Sequence, residues 1–163
     1  IIHSAAHIIS EAINNGNTIF WCGNGGSASQ ANHLSAELIG GMYQKKIKPF
    51  KSICLNVDTG FITAWSNDDS FDNIFSRQLE ALSKPGDILV GLSTSGNSPN
   101  ILNSAIFAQS NQLKVISLTG NDGGKLKRNS HININIPIDS TQRIQEMHIL
   151  IGHILCDIIE LSL

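Results

Sequence analysis

Two side chains that could carry out acid–base or metal chemistry lie one helical turn apart in the first quarter of the chain. His33 and Glu37 occur in the stretch "SASQANHLSAEL" at positions i and i+4, so a helix would present both on one face. A carboxylate can take up a proton, and an imidazole can move one near neutral pH. Both can also bind a metal ion. The same spacing is compatible with an ordinary solvated helix face, so the pair alone leaves both interpretations open.

A second set of candidates lies in the C-terminal segment "RIQEMHILIGHILCDIIE" and comprises Gln145, Glu146, His148 and His153. His153 stands among apolar residues, where an imidazole without a hydrogen bond or a bound ligand would cost free energy. Gln145 and His153 are about 12 Å apart along a helix axis, so both could reach one ion only if it lay between them. His148, three residues after Gln145, is a rival ligand on local spacing.

The stretch "STSGNS", residues 93–98, is a candidate phosphate-binding loop. It follows an apolar run and precedes Pro99, and a proline at the first helical position makes Ser98 a natural N-cap. Helix N-termini bind anions because their N–H groups lack intrahelical partners and the helix dipole is positive there. A capped turn without a ligand is the alternative, but a position after a buried parallel strand favours phosphate. Hydroxyl groups that could add hydrogen bonds belong to Ser93, Thr94, Ser95 and Ser98.

An earlier loop, Gly23–Ala28, matches the G-x-G-x-x-A form of the dinucleotide fingerprint, and Asp58 lies near the end of the next predicted strand. A dinucleotide fold would not need a second phosphate loop. Neither loop contains Lys or Arg, and the chain lacks the G-K-[ST] motif of triphosphate sites. We therefore expect one monophosphate ligand and no nucleotide cofactor. Ser27 and Gln30 match an S-x-x-Q capping box for the helix that follows.

The elements that must position these candidates alternate along the chain. Apolar β-rich runs separated by helical patterns predict a parallel sheet covered on both faces. We therefore predict an α/β fold, a single doubly wound αβα sandwich with a five-stranded parallel sheet. The predicted strands are Thr18–Cys22, Ser52–Val57, Asp87–Ser93, Lys114–Thr119 and His131–Pro137. The predicted helices are Ser27–Ile39, Ser70–Leu82, Ser98–Ser110 and about Thr141–Leu161.

Composition restricts the classes of function. The 163 residues fit one domain, predicted to span 1–163, and the net charge of −2 lacks the basic clusters of a nucleic-acid binder. No apolar run reaches membrane-spanning length. Cys22, Cys54 and Cys156 lack metal-type spacing, which favours a reducing, cytoplasmic setting. The chain opens at Ile1 rather than Met, so we expect some N-terminal residues to be missing.

The predicted C-terminal helix is apolar round most of its circumference. A helix apolar nearly all round is buried, and we expect the extra face to pack against another subunit. Its apolar stripe consists of Ile144, Met147, Ile151, Ile154, Leu155 and Ile158, widened by Ile149, Leu150 and Ile159.

Five stretches together resemble the phosphoheptose isomerases, which are sedoheptulose 7-phosphate isomerases of the sugar-isomerase (SIS) domain superfamily. They are "CGNGGSASQANHLSAEL", "NDDSFDNIFSRQLEAL", "PGDILVGLSTSGNSPN", "VISLTGNDGG" and "RIQEMHILIGHILCDIIE", in the family's order. The resemblance implies a flavodoxin-like SIS fold and a homotetramer with active sites at subunit contacts. It also implies conversion of sedoheptulose 7-phosphate to D-glycero-D-manno-heptose 7-phosphate, the first step towards the activated heptose of lipopolysaccharide or other surface glycans.

The resemblance further implies roles for individual residues. Zinc ligands in the family match His33, Glu37, Gln145 and His153, which implies one zinc ion per subunit. Glu37 and His153 match the proposed acid–base pair, with Glu37 as base and His153 as proton shuttle in an isomerisation through an enediol. A metal could alternatively polarise the carbonyl group. The implied substrate-binding residues are Asn24, Gly25, Gly26, Ser27, Glu37, Asn67, Asp68, Ser93, Thr94, Ser95, Ser98 and Gln145.

Two departures from the family pattern concern charge. Gly41 stands where family members carry Arg, and Gln142 stands where they carry Asp. A cation and an anion of the active site are thus absent together, which leaves the exact heptose substrate open.

Two other functions remain as alternatives. One is a non-catalytic SIS module that binds a replication-initiator-type protein, and the joint presence of Glu37 and His153 argues against it. The other is an isomerase of a different sugar phosphate.

Overall fold

The computed structural model describes residues 1–43 and 48–163 and contains one five-stranded, all-parallel sheet. The strand order is β2–β1–β3–β4–β5, the flavodoxin-like order of doubly wound proteins. The predicted α/β sandwich is therefore confirmed. The strands are β1 Ile19–Gly23, β2 Ser52–Cys54, β3 Ile88–Ser93, β4 Lys114–Gly120 and β5 Ile132–Ile136. The helices are α1 Ile2–Asn14, α2 Gly26–Gly40, α3 Thr59–Asp68, α4 Ile74–Leu82, α5 Pro99–Ser110, α6 Gly124–Arg128 and α7 Thr141–Ser162, with a 3-10 turn at Phe71–Asn73.

Two hydrophobic cores lie on opposite faces of the sheet, because successive strand residues point to opposite sides. Ile19 and Trp21 of β1 face the layer formed by α1, α2 and α7. Phe20 and Cys22 face the layer formed by α4, α5 and α6. All five residues of β1 are buried, as a central parallel strand requires.

The structure differs from the prediction in three helices and one strand. Helices α1, α3 and α6 are not among the helices predicted from the sequence, and β2 ends at Cys54 rather than Val57. Helix α3 has no fully buried residue, and its short apolar stripe of Phe61, Ile62 and Trp65 is only partly buried against the second core. No helix in the described part of the chain is long and apolar enough to cross a membrane.

Candidate active site

Helices α2 and α7 bring three predicted site residues together. The Nε2 atoms of His33 and His153 lie 2.8 Å apart, and His33 Nε2 lies 3.3 Å from Glu37 Oε1. Because the two imidazoles are hydrogen-bonded, one ring donates and the other accepts. The ligand atoms of His33, Glu37 and His153 all lie within 4.8 Å of one another.

A glycine allows the two helices to approach closely enough to form this cluster. A Cβ atom at Gly152 would collide with the side chain of Leu34 on α2. His153 follows Gly152 directly and therefore lies opposite His33, the neighbour of Leu34. The cluster depends on a helix contact between residues about 120 positions apart in the chain.

Gln145 lies nearer the start of α2. A Cβ atom on Gly26 would be 2.7 Å from its Nε2 atom, so its amide covers the glycine at the first turn of α2. The backbone carbonyl of Gln145 accepts a hydrogen bond of 2.6 Å from Gln30 Nε2. Gln145 is therefore placed at the first loop, two helical turns along α7 from His153.

His148 is not available as a metal ligand in this arrangement. It is fully buried, and its Nε2 lies 3.0 Å from the carbonyl oxygen of Thr119 on β4. A carbonyl only accepts, so Nε2 carries the proton and donates it. Burial lowers the pKa of the imidazole, and this effect is larger than that of the hydrogen bond to Thr119, which raises the pKa.

The predicted phosphate loop is held in shape by its neighbours. Ser93 Oγ and Ser98 Oγ lie 3.1 Å apart, and Ser95 Oγ accepts a hydrogen bond of 3.1 Å from the backbone N–H of Asn97. Gly96 has φ +63°, and a Cβ atom there would collide with the carbonyl oxygen of Gly123. The loop is therefore packed directly against the turn that precedes α6.

Ser98 occupies the N-cap position of α5, with Pro99 at the first helical position, as predicted. Its side chain makes no capping hydrogen bond within the helix and bonds Ser93 instead. The first N–H groups of α5 are thus not capped by the serine that precedes them.

Paired asparagine amides connect the two loops. Asn24 Nδ2 donates to Asn100 Oδ1 over 2.9 Å, and Asn100 Nδ2 donates to Asn24 Oδ1 over 2.8 Å. Asn56 Oδ1 accepts a hydrogen bond of 3.1 Å from the N–H of Gly23, and Asn56 Nδ2 donates one of 2.8 Å to the Gly23 carbonyl. Sequence analysis missed Asn56 and Asn100. Their positions, just after a strand and just inside a helix next to predicted loops, are the signal that could have indicated them.

The predicted capping box at the first loop is wrong. Helix α2 begins at Gly26 with Gly25 as its N-cap, so Ser27 lies inside the first turn and is buried. Gly25 has φ +54°, a conformation that glycine adopts without strain and that a serine cap would not favour. The side chain of Gln30 reaches α7 rather than its own helix terminus.

Asn67 and Asp68 lie at the exposed end of α3, where Asn67 Nδ2 donates to Asp68 Oδ1 over 2.8 Å. Within the described ranges 1–43 and 48–163, neither side chain bonds the two loops or the cluster of His33, Glu37 and His153. Their sugar-binding role stays a prediction.

The two departures from the family pattern lie at helix ends. Gly41 is the C-cap of α2 with φ +77°, and its N–H donates to the Glu37 carbonyl over 2.8 Å. A residue with a side chain would be strained in that conformation, so the backbone here suits the glycine rather than an arginine. Gln142 is exposed in the first turn of α7.

The chain is similar in sequence to one domain family and to several known proteins. The sequence model of the SIS domain matches residues 1–120. The phosphoheptose isomerase of Helicobacter hepaticus is 50% identical over 98% of this chain and 81% of its own length. That of Helicobacter pylori strain 26695 is 46% identical over 98% of this chain and 82% of its own length.

Two solved structures are similar along nearly the whole chain. The phosphoheptose isomerase GmhA of Neisseria gonorrhoeae has a TM-score of 0.90 and 41% identity, covering 97% of this chain and 84% of that one. A phosphoheptose isomerase of Francisella tularensis has a TM-score of 0.93 and 38% identity, covering 98% and 84%.

Proposed function

This chain belongs to the phosphoheptose isomerases of the SIS domain family, and we propose that its catalytic centre is the cluster of His33, Glu37 and His153. It is an aldose–ketose isomerase that converts sedoheptulose 7-phosphate to D-glycero-D-manno-heptose 7-phosphate. The observation that carries the assignment of the centre is the approach of the three ligand atoms to within 4.8 Å of one another. A carboxylate beside two hydrogen-bonded imidazoles can both accept and deliver protons.

The reaction needs four proton transfers, two at carbon and two at oxygen, and no external oxidant or reductant. Glu37 takes a proton from C1 of the ketose, and the C1–H electron pair forms the C1–C2 double bond. His153 gives a proton to the C2 oxygen, which yields the enediol. Return of a proton to C2 and loss of the O1 proton then produce the aldose. The proton acceptor and the shuttle must lie on one side of the same two carbons, as adjacent groups on α2 and α7 can.

Residues 93–98 bind the phosphate in this proposal. The hydroxyls of Ser93, Thr94, Ser95 and Ser98 offer donors without adding charge. The backbone N–H of Asn100 is a further donor at the start of α5, where Pro99 has no N–H and the N–H of Ile101 bonds Asn100 Oδ1. Asn24, Gly25, Gly26 and Ser27 would contact the sugar from the adjoining loop, and Asn67 and Asp68 would bind its hydroxyls. The Asn24–Asn100 amide pair supports this arrangement because it fixes one loop against the other.

We further propose zinc as the metal bound by His33, Glu37 and His153. Imidazole nitrogens and a carboxylate oxygen are donors that zinc prefers, and three of them converge here. When bound, the ion would polarise the substrate carbonyl. Gln145 contacts Gly26, which supports its substrate-binding role; its predicted role as fourth ligand would require the side chain to leave Gly26 and lie toward His153.

Geometry supports an active site shared between subunits. Helix α2 starts at the edge of the sheet where the phosphate loop lies, and Glu37 is eleven residues after Gly26, about 16 Å along the axis. Eight bonds of about 1.5 Å connect C1 of the substrate to phosphorus, so the extended molecule is under about 12 Å long. The substrate is therefore shorter than the axial distance from Gly26 to Glu37, which supports a site that a second subunit helps to form. We propose a homotetramer in which neighbouring subunits complete each site.

Two remaining assignments are part of the same proposal. The three cysteines are free thiols, which supports a reducing, cytoplasmic location. The second assignment is that residues 1–163 form a single SIS domain. The product would enter activated-heptose synthesis for lipopolysaccharide or other surface glycans. The alternative of a non-catalytic binding module is not favoured, because such a module would have no use for the assembled cluster.

The test is direct observation of the reaction. The protein is incubated with sedoheptulose 7-phosphate in D₂O and followed by NMR. We expect an aldose 7-phosphate carrying deuterium at C2, because the proton passes through an enediol and exchanges with solvent. Ribulose 5-phosphate and fructose 6-phosphate serve as matched substrates of other chain lengths. Faster turnover of either would assign the chain to a different sugar phosphate, and no turnover of any would refute the proposal.

A further inference from the structure

A buried histidine that the reaction scheme does not use lies on α7 between Gln145 and His153. His148 has no exposed surface, and its Nε2–H donates to the carbonyl oxygen of Thr119 over 3.0 Å. Its Nδ1 atom is buried and has no hydrogen-bond partner in the described residues. A leucine or methionine would avoid the unsatisfied Nδ1 atom but would lose the hydrogen bond to the Thr119 carbonyl. The imidazole therefore needs an explanation beyond packing.

The strand end that His148 holds also carries the phosphate loop. Gly120 follows Thr119, and its N–H donates to the carbonyl oxygen of Thr94 over 3.0 Å. Ile144 lies one turn before His148 on α7, and its side chain covers Gly120 so closely that a Cβ atom there would collide with it. One face of α7 thus fixes residues 119–120 through a hydrogen bond and a packing contact.

The adjoining face of α7 presents the residues assigned to substrate and proton transfer. Gln145 lies against Gly26 in the first loop, and His153 lies against His33 on α2. A shift of α7 along its axis would move Gln145 relative to the first loop and His153 relative to His33. Among the contacts between α7 and β4, the bond from His148 is the one that is directional, because a packed isoleucine can slide where a hydrogen bond cannot.

We propose that His148 is a positioning residue that fixes the position of α7 along its axis against β4, so that Gln145 keeps its place at the first loop and His153 keeps its place against His33. This inference rests on the isomerase function proposed above. The hydrogen bond to Thr119 carries the role, and the neutral imidazole, with its proton held on Nε2, is the form that performs it. Because a displacement of about 1 Å from a remote site can lower a rate by about 100-fold, one such bond can govern turnover.

The experiment compares three substitutions at this position. His148→Leu removes the donor and keeps an apolar side chain of suitable size. His148→Gln keeps a donor that reaches as far as Nε2, whereas His148→Asn keeps an amide that is too short to reach the Thr119 carbonyl. Ser117→Ala is the matched control: Ser117 is fully buried on the same strand and accepts hydrogen bonds from Ser130 and Asn133.

We expect kcat to fall about tenfold or more in His148→Leu and His148→Asn and to recover in His148→Gln. The inhibition constant of inorganic phosphate, which reports the loop alone, should stay unchanged in all three variants. Ser117→Ala should lower the melting temperature without lowering kcat.

Three results would overturn the inference. One is a wild-type kcat in His148→Leu, and another is equal loss in the Gln and Asn variants. The third is a fall in the kcat of Ser117→Ala, relative to its loss of stability, as large as the fall in the His148 variants. In that case kcat would follow stability in general and not the bond from His148. If His148→Leu does not fold, the Gln and Asn pair decides alone. An inactive wild-type protein would instead refute the proposed function, so the two failures are distinguishable.

Discussion

The Nε2 atoms of His33 and His153 lie 2.8 Å apart although 120 residues separate them in the chain. Helix α2 supplies the first imidazole together with Glu37, and α7 supplies the second. Helix α2 lacks His153, the residue assigned as proton shuttle, and α7 lacks Glu37, the residue assigned as base. The chemistry of the site therefore depends on how these two helices pack, which Gly152 permits by its lack of a side chain.

Replacement of Glu37 tests the proton acceptor. Glu37→Gln keeps the shape of the side chain but removes its basic oxygen, so turnover should fall by about 10²–10⁴-fold, the usual effect of losing a general base. Binding of sugar phosphate should persist because the phosphate loop is a separate element. Steady-state kinetics and calorimetric titration measure the two effects.

Glu11→Gln is the matched control for that substitution. His7 and Glu11 form the same i, i+4 pair on α1, with 3.4 Å between Nε2 and Oε1. The turnover of Glu11→Gln should equal that of the wild type.

Treatment with a chelator distinguishes the role of Glu37 as a base from its role as a metal ligand. If chelation leaves wild-type turnover intact while Glu37→Gln abolishes turnover, the carboxylate acts as a base without the ion. Wild-type turnover in Glu37→Gln would refute the mechanism.

Replacement of loop serines tests the phosphate site. Ser95→Ala and Ser98→Ala should each weaken sugar-phosphate binding by about 1–3 kcal/mol, because each removes a hydrogen bond to a charged group. Ser98→Ala also removes the bond to Ser93 and should cost some stability, whereas Ser95 is exposed and should cost little. Ser83→Ala, at the end of α4, is the control. Unchanged affinity in both loop variants would contradict the assignment.

Sequence patterns predicted those parts of the fold that depend on local periodicity. Strands β3 and β4 are nearly continuous apolar runs, and α7 has an apolar stripe over six turns, so each is visible in the chain by itself. Helix α1 carries a similar stripe at Ala5, Ile9 and Ala12 that could have identified it. Helix α3 gives a weaker signal, because its apolar stripe is limited to Phe61, Ile62 and Trp65 and none of them is fully buried.

The three side chains that converge, His33, Glu37 and His153, were among the candidates named from the sequence, but their arrangement could not be predicted from it. Spacing placed His33 and Glu37 on one face, but it did not separate His148 from His153, and the family resemblance alone favoured His153. His148 faces β4 and His153 faces α2, a difference set by the rotation of α7 in the packed structure. The capping box failed for a related reason: Gly25 adopts a positive φ that starts the helix earlier than the Ser-x-x-Gln pattern indicates.

Burial should make the three thiols unreactive in the folded protein. It raises the pKa of Cys22 to about 12 and that of Cys156 to about 12, and it raises the pKa of Cys54 as well. Because the thiolate is the reactive form, a disulfide reagent at pH 8 should modify none of them quickly. All three should react after unfolding in guanidinium chloride. A fast-reacting thiol in the native protein would contradict the buried placement.

The buried imidazole of His148 should make stability depend on pH. Its folded pKa is lowered, so below about pH 6.5, the ordinary value, the unfolded chain binds a proton that the folded chain does not. Stability should therefore fall as pH decreases from about 6.5 toward the lowered pKa, by at most about 1.4 kcal/mol for each pH unit. Urea unfolding at pH 7.5 and 5.5 measures this loss. His148→Gln, which lacks the titrating ring, should show a smaller one, and an equal loss would assign the effect to other groups.

Disruption of the exposed apolar face of α7 tests whether subunits share the active site. Leu150 is 50% exposed in the single chain and lies between Met147 and Ile154, which are also exposed. Leu150→Glu should leave the isolated fold intact because the side chain already faces solvent, but it should dissociate an assembly that buries this face. Leu82, 54% exposed at the end of α4, provides the control Leu82→Glu. Light scattering should report four subunits for the wild type and the control and fewer for Leu150→Glu.

If Glu37 of one subunit serves the phosphate loop of another, activity must disappear with dissociation. A stable wild-type monomer with full activity would show that one chain closes the distance between Glu37 and its own loop.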